Sequence, residues 1–160
     1  MEIRGNPFFP LFVDMTGRRV LVVGGGGIAE RRIKALVRFG ADITLLSPEA
    51  TEELEKLAAL GAISWVCREY AFGDAERMAP FLIVAVTDCR DVNHAVRQEA
   101  AALGVLAIIA DSRGECSCWF PALAEDERYI VGLVSKAGDH AAARKMAEKI
   151  REVLSESRDD

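Results

Sequence analysis

The 160-residue sequence lacks any apolar run of the roughly 20 residues that a membrane-spanning helix needs. It also lacks an excess of positive charge, since 20 Lys and Arg residues face 25 Asp and Glu residues. Nucleic acids and anionic membranes attract basic surfaces, so the net charge of −5 argues against both as partners. Pro7 and Pro10 interrupt the N-terminal segment, which has no apolar stretch typical of a secretory signal. We therefore expect a cytoplasmic protein.

Cysteine is also scarce, with four residues in the chain. Secreted disulfide scaffolds are shorter and denser in cysteine. Cys67 and Cys89 lie in or beside apolar runs, where a thiol usually serves as a small core residue. Cys116 and Cys118 form a Cys-x-Cys pair, but structural zinc sites usually need four ligands and only two histidines are available besides. The sequence therefore predicts no disulfide framework and no metal site.

The chain does contain a regular alternation of apolar strands and segments with helical periodicity. Strands separated by helices of this length form βαβ units and a parallel sheet. The sequence thus predicts a Rossmann-type, doubly wound α/β domain over residues 1–112. Its predicted strands are 19–23, 42–46, 63–67, 81–86 and 105–110. Its predicted helices are 28–39, 48–60, a short helix or turn at 74–78, and 91–103.

The pattern changes in the last third of the chain. Residues 119–123 and 128–135 look like strands with no helix between them, and the acidic turn 125–127 would join them as an antiparallel pair. A final helix is predicted over residues 139–154. Because a lone hairpin is marginally stable in water, we expect it to pack on another surface, such as a second copy of the chain. Residues 113–160 are therefore predicted to form a small α+β dimerisation segment.

A glycine-rich turn connects the first predicted strand to the first helix and matches the pattern Gly-x-Gly-x-x-Ala. The first glycine permits the tight turn, the second lets the backbone approach a pyrophosphate, and the alanine allows close packing of helix on strand. The N–H groups and positive dipole end at the helix start favour phosphate. A flexible loop is the alternative, but the flanking strand and helix favour a dinucleotide site. The predicted contacts are Gly24, Gly26, Gly27, Ile28 and Ala29.

Residues at the ends of two other predicted strands are expected to contact the cofactor. Ser47 stands where such folds usually place an acidic residue for the ribose hydroxyls, and Pro48 follows as the first residue of the predicted helix, with Ser47 as its N-cap. No arginine is present there to meet a 2′-phosphate, so NAD is expected rather than NADP. Thr87 and Asp88 end the fourth strand and are predicted to border the nicotinamide, although capping the next helix is an equally good interpretation.

Asp111 follows the fifth strand at the same edge of the predicted sheet. A carboxylate beside a nicotinamide is well placed as a general base, although strand-end Asp is also a common turn residue. Several short motifs follow one another along the chain: residues 10–14, 22–31, 47–48, 85–88 with Asn93, and Asp111 followed by Cys116 and the Phe-Pro-Ala element at 120–122. With these motifs the chain resembles the precorrin-2 dehydrogenase family, which includes the dehydrogenase and ferrochelatase module of sirohaem synthase.

The resemblance implies an oxidoreductase that uses NAD to convert precorrin-2 to sirohydrochlorin in sirohaem biosynthesis. It also implies a homodimer, built through the segment after the Rossmann domain. The family's important acidic residue falls on Asp111, and a serine near the family's active site falls on Ser135. Arg113 and Lys136 are candidates to bind the carboxylates of this substrate. Ferrochelatase activity stays open, and the alternative function is a non-catalytic NAD-sensing module, which would not need Asp111.

Overall fold

The computed structural model describes residues 8–156 and divides into two compact units. The larger unit runs Pro10–Cys118, and the smaller contains Phe8, Phe9 and the chain from Trp119 onward. Residues 1–7 of the predicted Rossmann-type domain and residues 157–160 of the predicted dimerisation segment lie outside the described residues. Within residues 8–156, no helix is both long enough and apolar enough to span a membrane.

The larger unit is built on a five-stranded parallel sheet in the order β3-β2-β1-β4-β5. The chain winds outward from β1 through β2 to β3, then returns to the other side of β1 for β4 and β5. This reversal confirms the predicted Rossmann-type fold and creates a crevice at the carboxyl ends of β1 and β4. The strands are β1 (Arg19–Val23), β2 (Asp42–Leu46), β3 (Ser64–Val66), β4 (Leu82–Ala85) and β5 (Leu106–Ile109). The helices are α1 (Gly27–Arg38), α2 (Glu52–Ala59), α3 (Asp74–Met78) and α4 (Arg90–Leu103).

The core of this unit explains why the central strands read as nearly continuous apolar runs. Four of the five residues of β1 and all of β4 are buried, because helices cover a parallel sheet on both faces. Helix α1 buries the stripe formed by Ala29, Ile33 and Leu36, at the spacing of successive helical turns. The chain leaves this helix through Gly40, whose φ of +73° suits glycine.

The prediction that α2 begins after Ser47 is wrong. The Ser47 N–H donates to the Val66 carbonyl at 3.2 Å, so the chain continues the pairing of β2 with β3 instead of turning into a helix. The N-cap is Thr51, whose side chain accepts from the Leu54 N–H at 3.4 Å, and Pro48 lies outside the helix. A local Ser-Pro start signal is thus overridden by sheet pairing, which leaves a loop between β2 and α2.

Residues 113–118 pack against the larger unit, although the sequence analysis places the division after residue 112. A single 3₁₀ turn, Arg113–Glu115, follows β5. Ser117 then donates its N–H to the Ala107 carbonyl at 2.9 Å and accepts the Ala107 N–H on Oγ at 2.7 Å. These two bonds hold the segment alongside β5.

The smaller unit consists of an antiparallel hairpin, β6 (Ala122–Glu125) and β7 (Ile130–Leu133), and the helix α5 (His140–Glu156). Asp126 shapes the hairpin turn, since its Oδ1 accepts the N–H groups of Arg128 and Tyr129 at 2.9 and 2.7 Å. Helix α5 packs on the hairpin, and Arg151 donates to the Leu123 carbonyl at 2.6 Å. The hairpin and helix expected from the sequence are therefore present.

A buried carboxylate holds the connection between β3 and β4. Asp74 is fully buried, and its two oxygens accept both terminal nitrogens of Arg68 at 2.7 and 2.8 Å. It also accepts the Ala71 N–H at 2.7 Å and one nitrogen of Arg77. The Arg68 guanidinium is the main reason that the pKa of the Asp74 carboxyl lies far below its usual range.

A second buried carboxylate, Glu99 on α4, binds the same connection. It accepts the backbone N–H groups of Gly73 and Glu76, each at 3.0 Å, and the hydroxyl of Tyr70. Burial is the main cause that raises the pKa of the Tyr70 hydroxyl, with the hydrogen bond to Glu99 adding to it. The β3–β4 connection is therefore held largely by charge and backbone hydrogen bonds.

We expect Asp74→Asn to lower the free energy of unfolding by about 2 kcal/mol, because the amide keeps the shape but loses the charge that two arginines bind. The folded state depresses the pKa of Asp74, so its contribution is complete above the unfolded value near 4 and is lost as the pH falls further. Urea unfolding at several pH values should show a difference between wild type and variant that is constant at pH 5–7 and shrinks below about pH 4. Glu76→Gln, an exposed change on the same helix, is the control. A difference at pH 2 as large as the difference at pH 5–7 would contradict this account.

Candidate functional site

The glycine turn at the end of β1 is shaped by the neighbouring strand β4. Gly24 has a φ of +104°, and a Cβ built on it would lie 2.9 Å from the Val86 carbonyl carbon. The Gly24 N–H donates to the Leu46 carbonyl of β2 at 3.1 Å. Conformation and space both require glycine here, so the backbone passes directly beside the ends of β2 and β4.

The next two glycines face opposite surroundings. A Cβ on Gly25 would lie 2.0 Å from the Glu49 carbonyl oxygen, because the loop between β2 and α2 closes on the turn. Thr51 fixes this loop by donating its N–H to the Gly25 carbonyl at 3.1 Å. A Cβ on Gly26 would meet no atom within 4 Å, and the same holds for Gly27. The turn is therefore closed on the loop side and open above Gly26.

The open side of the turn leads into the N-terminus of α1. Gly26 is the N-cap and supplies no side chain to satisfy the first N–H groups of the helix. Ile28 is exposed, whereas Ala29 is fully buried against the sheet, where its small side chain lets the helix approach. Free N–H groups, a positive dipole end and an open approach fit a bound pyrophosphate.

Ser47 and Pro48 lie beside this turn at the end of β2. Ser47 is buried, and its carbonyl accepts the indole N–H of Trp65 at 2.9 Å. Pro48 is exposed, and its carbonyl accepts a hydrogen bond from the Cys67 thiol at 3.3 Å. The backbone of this pair is thus held by the neighbouring strand β3.

At the end of β4, Thr87 is held by Asn93, a fully buried residue of α4. Asn93 accepts the Thr87 N–H at 3.2 Å and its hydroxyl at 2.8 Å, and it donates to the Thr87 carbonyl at 3.0 Å. The Thr87 hydroxyl also accepts the Cys89 N–H at 3.2 Å. These bonds fix the turn into α4, and Asp88 is exposed at its tip.

Asp111 lies just beyond the carboxyl end of β5, next to the end of β4. The register pairs Ala85 of β4 with Ile109 of β5, and the Ala110 N–H donates to the Ala85 carbonyl at 2.9 Å. One terminal nitrogen of Arg90, the first residue of α4, donates to Asp111 Oδ1 at 3.2 Å. The larger unit therefore brings the glycine turn, Thr87 and Asp111 to one edge of the sheet, on three adjacent strands.

The Arg90 side chain also reaches a second carboxylate, Glu115, which no motif in the sequence indicates. Its other terminal nitrogen donates to Glu115 Oε1, which also lies 3.6 Å from His94 Nδ1. The hydrogen bond from Arg90 is the main cause that lowers the pKa of the Glu115 carboxyl. No local motif signals this pair, because Arg90 and Glu115 are 25 residues apart in sequence and meet only through the sheet.

The predicted substrate residues are divided between the two units. Arg113 belongs to the 3₁₀ turn of the larger unit and is half-buried. Ser135 and Lys136 follow β7 in the smaller unit, where the Ser135 carbonyl accepts the Gly138 N–H at 3.1 Å. Lys136 is exposed.

Cys116 and Cys118 face the backbone of β5. The Cys116 thiol accepts the Ile109 N–H at 3.2 Å and contacts the Ile109 carbonyl at 3.3 Å. Burial raises the pKa of the Cys118 thiol to about 11. Among the residues that the structure describes, no three His, Cys, Asp or Glu side chains lie close enough to hold a metal ion.

Comparison with known proteins identifies the family. A family model described as "Putative NAD(P)-binding" matches residues 11–122, which include the glycine turn, Thr87 and Asp111. The chain belongs to this family. NAD as the cofactor, expected from the sequence, is consistent with this NAD(P)-binding domain.

Individual relatives of this NAD(P)-binding protein are named for sirohaem biosynthesis. The "Probable multifunctional siroheme biosynthesis protein HemA" of Ruminiclostridium josui is 45% identical over 146 residues, which are 91% of this chain and 28% of that protein. Siroheme synthase 1 of Serratia proteamaculans is 33% identical over 147 residues, 92% of this chain and 30% of that protein. The chain therefore spans about 30% of the length of these curated relatives.

A solved structure named "SirC, precorrin-2 dehydrogenase" superimposes on the NAD(P)-binding chain with a TM-score of 0.72. The two are 27% identical, and the match covers 94% of this chain and 71% of the other. Together with the sirohaem relatives, this structure confirms the resemblance to the dehydrogenase module that the sequence motifs indicate.

Two neighbouring glycines of the turn, Gly25 and Gly26, are expected to respond differently to an added methyl group. Gly25→Ala should lower the free energy of unfolding by about 3 kcal/mol, because the Cβ would collide with the Glu49 carbonyl. Gly26→Ala should change it by less than about 1 kcal/mol, since its φ of −82° suits any residue. Gly26→Ala should nevertheless weaken NAD binding at least about tenfold, because its Cβ would occupy the path of the pyrophosphate. Urea unfolding and calorimetric titration measure the two effects, and unchanged NAD affinity would contradict the assignment of Gly26.

Proposed function

We propose that this protein is an NAD-dependent precorrin-2 dehydrogenase that forms sirohydrochlorin in sirohaem biosynthesis. The observation that carries the proposal is the meeting of an open glycine turn and the Asp111 carboxylate at one edge of the sheet. The similarity to the structure named precorrin-2 dehydrogenase and to relatives named for siroheme biosynthesis supports this substrate and pathway. The NAD-sensing alternative is not favoured, since these relatives are named for biosynthesis.

The residues of the larger unit fit NAD in a defined orientation. The N–H groups of the turn and of the α1 start would bind the pyrophosphate, with Gly26 and Gly27 leaving it room. Ser47 and Pro48, at the end of β2, would border the adenosine ribose. Thr87 and Asp88 would border the nicotinamide, on the side of the turn facing β5. The full set of proposed cofactor contacts is Gly24, Gly26, Gly27, Ile28, Ala29, Ser47, Pro48, Thr87 and Asp88.

The proposed reaction removes two electrons and two hydrogens from the macrocycle. NAD when bound supplies the acceptor for the hydride, so that NADH and a proton are formed with sirohydrochlorin. Asp111 would accept the proton that leaves the ring system, acting as the general base. The half-exposed Asp111 carboxylate can then release this proton to solvent.

Substrate binding requires positive charge, since precorrin-2 is a polycarboxylate. Arg113 lies in the turn that follows Asp111 and would meet one carboxylate. We propose that Ser135 and Lys136 of the smaller unit bind further carboxylates.

We further propose that the smaller unit forms a homodimer interface, and that residues 113–160 act as a dimerisation segment. Its hairpin and helix expose several large apolar side chains, and such patches mark association surfaces in soluble proteins. Dimerisation would bury this surface and extend a two-stranded sheet that is marginal alone. The exposed residues are Tyr129, Ile130, Val134, Met146 and Val153.

We place the reaction in the cytoplasm, as expected from the sequence. The four cysteines are free thiols, which suits a reducing compartment.

The direct test is an anaerobic assay of the purified protein with precorrin-2 and NAD. We expect NADH absorbance and the sirohydrochlorin spectrum to rise together. Asp111→Asn should lower kcat by about 10²–10⁴-fold, because the amide cannot accept a proton. Asp42→Asn removes the same charge from the exposed start of β2, at the opposite edge of the sheet, and should leave kcat unchanged. Absence of turnover by the wild type would reject the function, and full activity of Asp111→Asn would reject the base.

Association is tested by the mass of the protein in solution. We expect the wild type to sediment at twice the mass of one chain. Ile130→Asp, at an exposed apolar residue of β7, should weaken dimerisation at least about a hundredfold, because a charge would be buried at the interface. Leu60→Asp, an equally drastic change at an exposed position of the other unit, is the control and should leave the dimer intact. A monomeric wild type at micromolar concentration would contradict the proposal.

A further inference from the structure

Four ionisable side chains form a continuous chain at the edge where the proposed chemistry occurs. Asp111 accepts from one terminal nitrogen of Arg90 at 3.2 Å, and the other terminal nitrogen binds Glu115. Glu115 also faces His94, with 3.6 Å between its Oε1 and the His94 Nδ1. The residues come from three segments, namely the start of α4, the end of β5 and the 3₁₀ turn.

Arg90 connects Asp111 to the first turn of α4, which hydrogen bonds hold in place. Arg90 begins α4, whose first turn is anchored by the buried Asn93 to the end of β4. Its two terminal nitrogens are engaged by different carboxylates, so the planar guanidinium cannot rotate without losing one of them. The contact reaches Oδ1 of Asp111 and leaves Oδ2 to receive a proton.

Stability does not account for this arrangement. The Arg90 side chain is 46% exposed and that of Asp111 is 34% exposed. Ion pairs with this much exposure contribute little to the free energy of folding, because water screens the charges and holding long side chains costs entropy. The same pair can still fix the direction of a carboxylate, and orientation of a reacting group strongly affects the rate of a reaction.

We propose that Arg90 is a positioning residue, which holds the Asp111 carboxylate in the direction needed to take the proton from the substrate, and that Glu115 anchors Arg90. This inference rests on the proposed dehydrogenase function. Arg90 does not itself touch the reacting atoms in this account, since both ends of its guanidinium are bound to the protein. Its effect on the reaction must therefore pass through Asp111.

A double-mutant cycle tests this dependence. Arg90→Gln, Asp111→Asn and the double variant are compared by kcat and KM for precorrin-2 at saturating NAD, with single-turnover measurements for the slow variants. We expect Arg90→Gln to lower kcat about tenfold to a hundredfold with KM changed less than about twofold. In the Asp111→Asn background the same change should have no further effect, because the residue through which it acts is already absent.

Conservative variants sharpen the result. Arg90→Lys should retain an intermediate kcat, because a single ammonium can bind Asp111 but cannot bridge it to Glu115. Glu115→Gln should lower kcat less than Arg90→Gln. Arg19→Gln removes the same charge from the exposed start of β1, at the opposite edge of the sheet, and should leave kcat unchanged. Thermal unfolding and NAD titration check that each variant is folded, and Arg90→Lys carries the test if Arg90→Gln does not fold.

Each other outcome overturns the inference in a recognisable way. A higher KM with unchanged kcat would mean that Arg90 binds the substrate directly. Equal losses of kcat in the wild-type and Asp111→Asn backgrounds would mean that Arg90 acts independently of Asp111. Both results would leave the dehydrogenase function in place. If the wild type itself does not oxidise precorrin-2 with NAD, the function is rejected and the positioning role with it.

Discussion

The close approach of three backbone segments at the end of β1 is the constraint on which the rest of the larger unit depends. The chain must leave β1 between the ends of β2 and β4, and only a glycine at position 24 allows it to pass. This passage aims the N-terminus of α1 at the crevice between β1 and β4. The ends of β4 and β5 then place Thr87 and Asp111 at the same edge. A cofactor site and a candidate base thus arise from one strand order.

Most of this fold was predictable because its signals are local and repeated. Buried parallel strands read as apolar runs, helices show their period, and glycines mark the ends, so the alternation of elements was recovered from the sequence. The start of α2 was not, because Ser47 and Pro48 carry a helix-start signal that loses to pairing of β2 with β3. Whether the chain begins a helix at Ser47 or continues the strand depends on β3, which lies nearly 20 residues further along the chain.

The candidate site likewise contains residues that the sequence predicts and residues that it does not. The glycine turn, Thr87 and Asp111 were predictable, since each follows a strand and all carboxyl ends of a parallel sheet share one edge. Arg90 and Glu115 were not, because neither belongs to a motif and their contact requires the packing of α4 beside β5. The buried carboxylate Glu99 was missed for a similar reason, since it binds Tyr70 and two backbone N–H groups more than 20 residues earlier in the chain. Asp74 was missed although its partners are local, because no motif distinguishes it from an exposed acidic residue beside two arginines.

The loop between β2 and α2 has a consequence for how this protein can vary. It closes on Gly25 through the carbonyl of Glu49, so the fit depends on where the main chain runs and not on which side chain position 49 carries. Exchange of residues 48–49 is therefore compatible with an intact turn, whereas insertion or deletion of a residue would displace the carbonyl and open the turn. A library that seeks altered preference for the adenosine half of the cofactor should vary the composition of this loop and conserve its length.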